Sequence, residues 1–159
     1  MDLIKKEIIS LIILLFLQAC GRQPDFITFH QIEVFTNNIN VSPTEFEEIT
    51  EFFINQLLEL SPRKITEEDL YYVFNHLQIE IRKKIISWND KKYSGLQQGK
   101  YILLHYPGNL EDSALIHEYM HAVDEIKFGR YDYGHTDRNW WDTERQISLN
   151  YREYKNAAR

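Results

Sequence analysis

Residues 100–129, KYILLHYPGNLEDSALIHEYMHAVDEIKFG, decide the fold that the sequence predicts. The run Lys100–Tyr106 is rich in β-forming residues and predicts a strand, which Pro107-Gly108 ends. From about Leu110 to Phe128 the apolar side chains recur at helical spacing, and Gly129 supplies a natural helix stop. A strand followed by a long helix, in a chain of this size, indicates a small single α+β domain.

The middle of that helix carries His117-Glu118-Tyr119-Met120-His121, an H-E-x-x-H pattern. Side chains four residues apart lie one turn above each other, so both imidazoles can reach one metal ion at about 2.0–2.1 Å. Glu118 lies about 100° around the helix from His117, since one turn holds 3.6 residues. Its carboxylate can therefore reach a water on the metal rather than the metal itself, which is where a general base belongs.

Two apolar stripes run along the other sides of this helix, which predicts that it is buried. Buried histidine and glutamate side chains need a partner, and a zinc ion supplies one. The stripes consist of Leu115, Tyr119, Ala122 and Ile126, and of Ile116, Met120 and Val123.

A catalytic zinc usually has three protein ligands and one open position, so a third ligand must come from elsewhere in the chain. His135 is the preferred candidate, because Gly134 before it gives the backbone freedom to aim the imidazole. Glu144 on the next predicted helix is the first alternative. Asp132 and Asp124 remain open as well, the latter more easily as a neighbour of the ligands.

These features resemble the zincin superfamily of zinc metallopeptidases over roughly residues 100–145. The resemblance assigns His117 and His121 to the metal, and Glu118 to the activation of water. It also implies a zincin-like domain with a short sheet whose edge strand precedes the buried active-site helix. That strand would be Tyr101–Tyr106, with the substrate antiparallel beside it.

The chain departs from the metzincin group within this superfamily. Metzincins have a glycine three residues after the second histidine and a third histidine three residues further on, where this chain has Asp124 and Lys127. The interval from His121 to His135 is more similar to small single-domain metallopeptidases of the SprT-like kind.

The predicted function is a zinc-dependent hydrolase, a peptidase that cleaves amide bonds in peptide or protein substrates. One Zn²⁺ ion activates the water, and Glu118 is the general base. Tyr133 is the candidate oxyanion stabiliser, with Tyr131 beside it. The alternatives are a non-catalytic, zinc-stabilised binding lipoprotein with a saturated ligand shell, and an interaction module with a vestigial motif and no metal.

The N-terminal segment is typical of a targeting signal rather than of part of the folded domain. Lys5 and Lys6 precede an apolar stretch, Ile8–Leu17, which is too short to span a membrane but suits a secretory signal. The segment Leu17–Cys20 resembles a bacterial lipobox, in which Cys20 is lipidated and becomes the first residue of the mature protein.

Three segments follow from this reading: a lipoprotein signal peptide at 1–19, the lipidated cysteine and a tether at 20–27, and the metallopeptidase domain at 28–159. Cys20 is the only cysteine, so no intramolecular disulfide braces the domain. The predicted location is the cell envelope, where a membrane-anchored lipoprotein faces the periplasm or the exterior.

Charge excludes one class of partner. The formal net charge is −6 and no continuous basic block occurs, which argues against nucleic acid as a partner.

The rest of the chain supplies the elements that surround the site. Residues 28–36 contain an alternating pattern typical of a strand, and residues 89–99 indicate a loop or hairpin. The segment around Leu77, Ile79 and Ile81 alternates like a strand but has flanks that fit a helix. Helices are expected after Ser42, after Thr66, and from Trp140 to about Asn156, with Trp140 and Trp141 as core residues.

Overall fold

A computed structural model of the chain describes residues 22–88, 90–107, 112–132 and 135–157. These residues form one small α+β domain with four helices and seven strands. The strands are β1 Phe26–Ile27, β2 Glu33–Phe35, β3 Gln78–Arg82, β4 Ile86–Trp88, β5 Lys91–Tyr93, β6 Gly95–Gln98 and β7 Tyr101–His105. The helices are α1 Pro43–Leu60, α2 Glu67–Phe74, α3 Asp112–Phe128 and α4 Arg138–Ala157.

Five strands form one mixed sheet in the order β1-β2-β3-β7-β6. The inner strands β2, β3 and β7 are parallel, and β1 and β6 are antiparallel additions at the two edges. Phe26–Ile27 lies in the predicted tether, yet it pairs with β2, so the structured domain begins before residue 28. Strands β4 and β5 form a separate hairpin.

The prediction that Tyr101–Tyr106 forms an edge strand of the sheet is wrong. Strand β7 precedes the α3 helix as expected, but it lies inside the sheet between β3 and β6. The edge is β6, which the short turn at Gly99 folds back onto β7; Gly99 has a left-handed φ of 55°. Glu125 of α3 accepts hydrogen bonds from the Gly99 amide at 3.0–3.1 Å, so the helix itself holds this hairpin against the sheet.

Local signals in the sequence account for the helix boundaries. The Ser42 hydroxyl accepts a hydrogen bond from the Glu45 amide and caps α1, and Thr66 and Asp69 form a capping box at the start of α2. The predicted stop of α3 is confirmed: Gly129 has a φ of 64° and its N–H bonds to the Glu125 carbonyl. The expected start near Leu110 lies outside the described residues.

The core holds α3 on its apolar sides. Tyr119 is fully buried against Phe53 and Phe74, and its hydroxyl makes a 2.9 Å hydrogen bond with the Thr50 hydroxyl of α1. The predicted burial of the helix is therefore confirmed. Among the described residues, the main core cluster extends from Ile32 to Tyr151. None of the helices within the described ranges has the length and apolar run needed to cross a membrane.

Candidate metal centre

Three histidines converge at one end of the domain. His117 and His121 lie one turn apart on α3, and His135 comes from the loop between α3 and α4. Their candidate ligand atoms all lie within 4.8 Å of one another, and the Nε2 atoms of His121 and His135 are 3.2 Å apart. The structure thus brings together the three residues that the sequence analysis selected, in an arrangement that could bind a metal ion.

The loop that presents His135 is organised by Asp132. The Asp132 carboxylate accepts hydrogen bonds from the Thr136 amide and hydroxyl, the Asp137 amide and the Trp141 indole, all at 2.9–3.0 Å. Burial opposes its ionisation, but these donors hold the pKa of Asp132 well below its ordinary value. His135 adopts a left-handed φ of 51°, and its N–H donates to the Asp132 carbonyl. Asp132 therefore positions His135 and does not join the cluster.

Trp141 is a site residue that sequence reasoning assigned only to the core. Its ring lies 4.2 Å from that of His135, 4.7 Å from that of His121 and 5.3 Å from that of His117, measured between centroids. The indole thus forms a wall against all three imidazoles. The only local signal was its place in the first turn of the helix that follows the ligand loop.

Burial keeps the two helix histidines neutral. It lowers the pKa of His117 to about 4, with help from His135. It also lowers the pKa of His121 to about 3, where His117 and His135 add to the effect and Asp132 opposes it. A neutral imidazole has a free lone pair, which is the form that binds a metal.

Glu118 points toward the edge strand β6. Its carboxylate is almost fully buried and accepts a hydrogen bond from the Gln97 backbone N–H. Burial raises the pKa of Glu118 to about 8, and the Gln97 bond partly offsets that rise. A β-carbon built at Gly95 would lie 2.5 Å from a Glu118 carboxylate oxygen, so only glycine leaves room there. The sequence marked no role for Gly95.

A cleft of about 350 Å³ opens beside these residues. His117 and Glu118 line one side of it, and Gly95 of β6 lines the other. Glu144 also lines the cleft; burial raises its pKa, while a 3.1 Å hydrogen bond from Ser148 opposes that rise. The cleft thus exposes one imidazole and the neighbouring carboxylate to a molecule lying along the sheet edge.

The remaining candidates have other positions. Asp124 is buried in ion pairs with Arg63 and Arg130, and neither it nor Glu144 belongs to the histidine cluster found in the described part of the chain. Tyr131 is 67% exposed. Tyr133, the candidate oxyanion stabiliser, and Cys20 both lie outside the described residues.

Comparisons of the chain with protein-family models, with curated proteins and with solved structures find no match. The residues of the site are therefore the only guide to function.

Proposed function

We propose that this protein is a zinc-dependent hydrolase of the zincin type that cleaves amide bonds in peptides. His117, His121 and His135 would bind one zinc ion, and Glu118 would be the general base. The observation that carries the proposal is the convergence of three imidazoles beside a buried carboxylate that borders the same cleft. That combination of groups is what metal-assisted hydrolysis requires.

The donor set fits zinc. Two nitrogen ligands of a tetrahedral zinc with Zn–N bonds of about 2.0–2.1 Å lie roughly 3.3 Å apart. The Nε2 atoms of His121 and His135 are 3.2 Å apart, close to that spacing. Three imidazoles beside a cleft match the ligand number of a catalytic zinc site, which keeps one open position. The Trp141 wall and the Asp132 loop would keep the third imidazole in place.

Zinc would supply a Lewis acid for the substrate carbonyl and would lower the pKa of a water molecule. Glu118 would accept the proton of the attacking water and then donate it to the leaving amine. The Gln97 N–H holds the Glu118 carboxyl group, and Gly95 leaves the room that it needs beside the strand. Both contacts come from β6, so the edge strand would position the base.

The substrate would lie along β6, not along β7 as the sequence suggested. Ser94 and Gly95 line the cleft beside His117 and Glu118. An extended peptide can add to an exposed sheet edge through backbone hydrogen bonds. An edge strand that lies beside the base supports a peptide as the substrate class.

A zinc-stabilised binding protein without turnover is the second candidate. The half-buried Glu144 carboxylate in the same cleft favours it, because a fourth protein ligand would leave no position for water. The number of protein ligands on the bound metal separates the two functions.

The general-base role is tested with Glu118→Gln, assayed on a mixture of fluorogenic peptides. We expect the variant to keep its zinc and to lose about 10²- to 10⁴-fold in turnover, the range typical of general acid–base catalysis. The matched control is Glu153→Gln, which changes an exposed glutamate on α4 and should leave turnover unchanged. A Glu118→Gln protein that turns over at the wild-type rate would exclude the mechanism.

We also propose that residues 1–19 are a signal peptide and that Cys20 carries the lipid that holds the domain in the cell envelope. The lipobox-like Leu17–Cys20 segment supports this. Intact mass of the membrane-extracted protein is the test. A mature chain that begins at Cys20 with added acyl mass is expected, and an unmodified Cys20 would refute the anchor.

A further inference from the structure

The β4–β5 hairpin gathers basic residues that are separate in sequence. Lys83 and Lys84 precede β4, and Lys91 follows its turn and pairs with Trp88 across the two strands. We define the hairpin patch as Lys83, Lys84, Ile85, Trp88 and Lys91. The whole chain has a net charge of −6, so this cluster of three lysines runs against the overall charge.

The patch is amphipathic. Ile85 is 39% exposed and Trp88 is 36% exposed, although both are large apolar side chains. In the part of the chain that the structure describes, neither Lys83 nor Lys84 has an ion-pair partner. The nearby Arg82 differs, because it pairs with Glu80 at 2.8 Å. Asp90 beside Lys91 is exposed and offsets one of the three charges, so the patch presents a net positive charge beside exposed apolar surface.

A cavity of about 650 Å³ lies between this hairpin and the outer face of the sheet. Leu96 of β6 lines it, whereas the adjacent Gly95 lines the catalytic cleft. Since successive residues of a strand point to opposite faces, the cavity and the cleft lie on opposite faces of the sheet. The hairpin borders both, because Lys92 and Tyr93 of β5 line the cleft.

The start of the described chain lies on the hairpin side. Arg22 donates a 2.6 Å hydrogen bond to the Asn37 side chain, and Asn37 lines the cavity.

We propose that the hairpin patch docks on an anionic phospholipid bilayer. Trp88 and Ile85 would enter the interface, and the lysines would lie against headgroup phosphates. Tryptophan is favoured at membrane interfaces, and lysines near an anionic surface attract it. The proposal rests on the charge and the exposed apolar surface of the patch; the proposed lipid on Cys20 adds only that the domain would be held near a membrane.

The test uses residues 21–159, which contain the whole described core cluster but lack Cys20, and cooperative unfolding of this chain is checked first. Docking is then measured apart from lipidation and from peptidase activity. Asp2, Lys5, Lys6 and Glu7 cancel in charge, so this chain also carries −6. Its sedimentation is compared between vesicles of phosphatidylcholine alone and vesicles of equal parts phosphatidylcholine and phosphatidylglycerol. We expect binding to the anionic vesicles only, weakened by salt.

The double variant Lys83→Gln/Lys84→Gln should lower partitioning onto the anionic vesicles about 30-fold, at roughly fivefold for each lysine. The matched control Lys64→Gln/Arg152→Gln removes the same charge from exposed positions elsewhere and should bind like the parent. Equal binding to both vesicle types, an equal loss in the control, or self-association without vesicle binding would overturn the proposal. The last outcome would assign the patch to a second copy of the chain.

Discussion

Two polar clusters lie along the same helix, one turn apart, and they are satisfied in different ways. Toward the C-terminal end of α3, Asp124 pairs with Arg63 and Arg130, and Glu125 accepts hydrogen bonds from the Gly99 amide and the Gln97 side chain. These carboxylates are matched by cations and donors of the protein itself. At the histidine cluster the imidazoles face one another and an indole. The first arrangement holds the fold, and the second could bind a metal ion, as we propose.

The largest expected effect on the fold is at the first cluster. Arg63→Met would leave Asp124, which is 1% exposed, without its closest cation, and we expect a loss of about 3 kcal/mol in the free energy of unfolding. Zinc stoichiometry should not change. Denaturant unfolding of the wild type, Arg63→Met and the control Arg145→Met gives the free energy of unfolding of each protein. Arg145 forms an exposed pair with Asp142, whose loss should cost well under 1 kcal/mol. Equal losses in the two variants would remove the contrast between buried and surface pairs.

Comparison of the wild type with Arg63→Met also predicts how the free energy of unfolding depends on pH. Arg63 lowers the pKa of Asp137 below its ordinary value, so the pairing stabilises the fold above the unfolded carboxyl pKa, near 4. This contribution is lost as the pH falls through the folded pKa. The stability advantage of the wild type over Arg63→Met should therefore shrink in acid, and a growing advantage would contradict the sign.

A smaller effect is expected at the contact between β6 and Glu118. Gly95→Ala places a methyl group 2.5 Å from the carboxylate oxygen, so Glu118 must move. If Glu118 is the general base, this displacement should lower turnover on the order of 10²-fold, whereas the proposed zinc ligands should keep their metal. Peptidase assays and metal analysis of the same preparation test this, with Gln98→Ala, at an exposed position of the same strand, as the control. A Gly95→Ala variant with normal turnover would show that the Glu118 position is not critical.

The smallest expected effect concerns Trp141, beside the histidine cluster. Trp141→Phe keeps an aromatic wall but removes the indole N–H that donates to Asp132 at 3.0 Å. Loss of such an outer contact lowers metal affinity about 10-fold. Zinc titration against a competing chelator measures it, and stability without metal should change little. An unchanged affinity together with a large loss of stability would make Trp141 a core residue only.

The sequence predicted the parts of the site that depend on spacing within one helix. His117, Glu118 and His121 follow from an i, i+4 pattern, and the stop at Gly129 follows from the glycine itself. His135 was found because a third ligand was required, and the structure brings it to the cluster. The edge strand was misassigned because β6, GLQQ, is short and half polar and looks like a loop. Its identity depends on pairing with β7, which a single sequence does not show.

Gly95 and Trp141 were missed for the same physical reason. The close approach of Gly95 to Glu118, and the contact of Trp141 with three imidazoles, join elements that are far apart in sequence. The basic hairpin patch shows the same limit, since its lysines are separated by β4 and the turn. Residue types reveal chemistry, whereas tertiary packing decides which of them meet.

X-ray absorption at the zinc edge of the purified protein tests the central claim most directly. One zinc per chain with three imidazole nitrogens at about 2.0–2.1 Å is expected, together with a light-atom ligand. His135→Ala should lose one imidazole from this shell, whereas His76→Ala, which changes an exposed histidine of the surface, should keep all three. A zinc-supplied protein that binds no zinc, or a His135→Ala variant with an unchanged shell, would contradict the proposed metal centre.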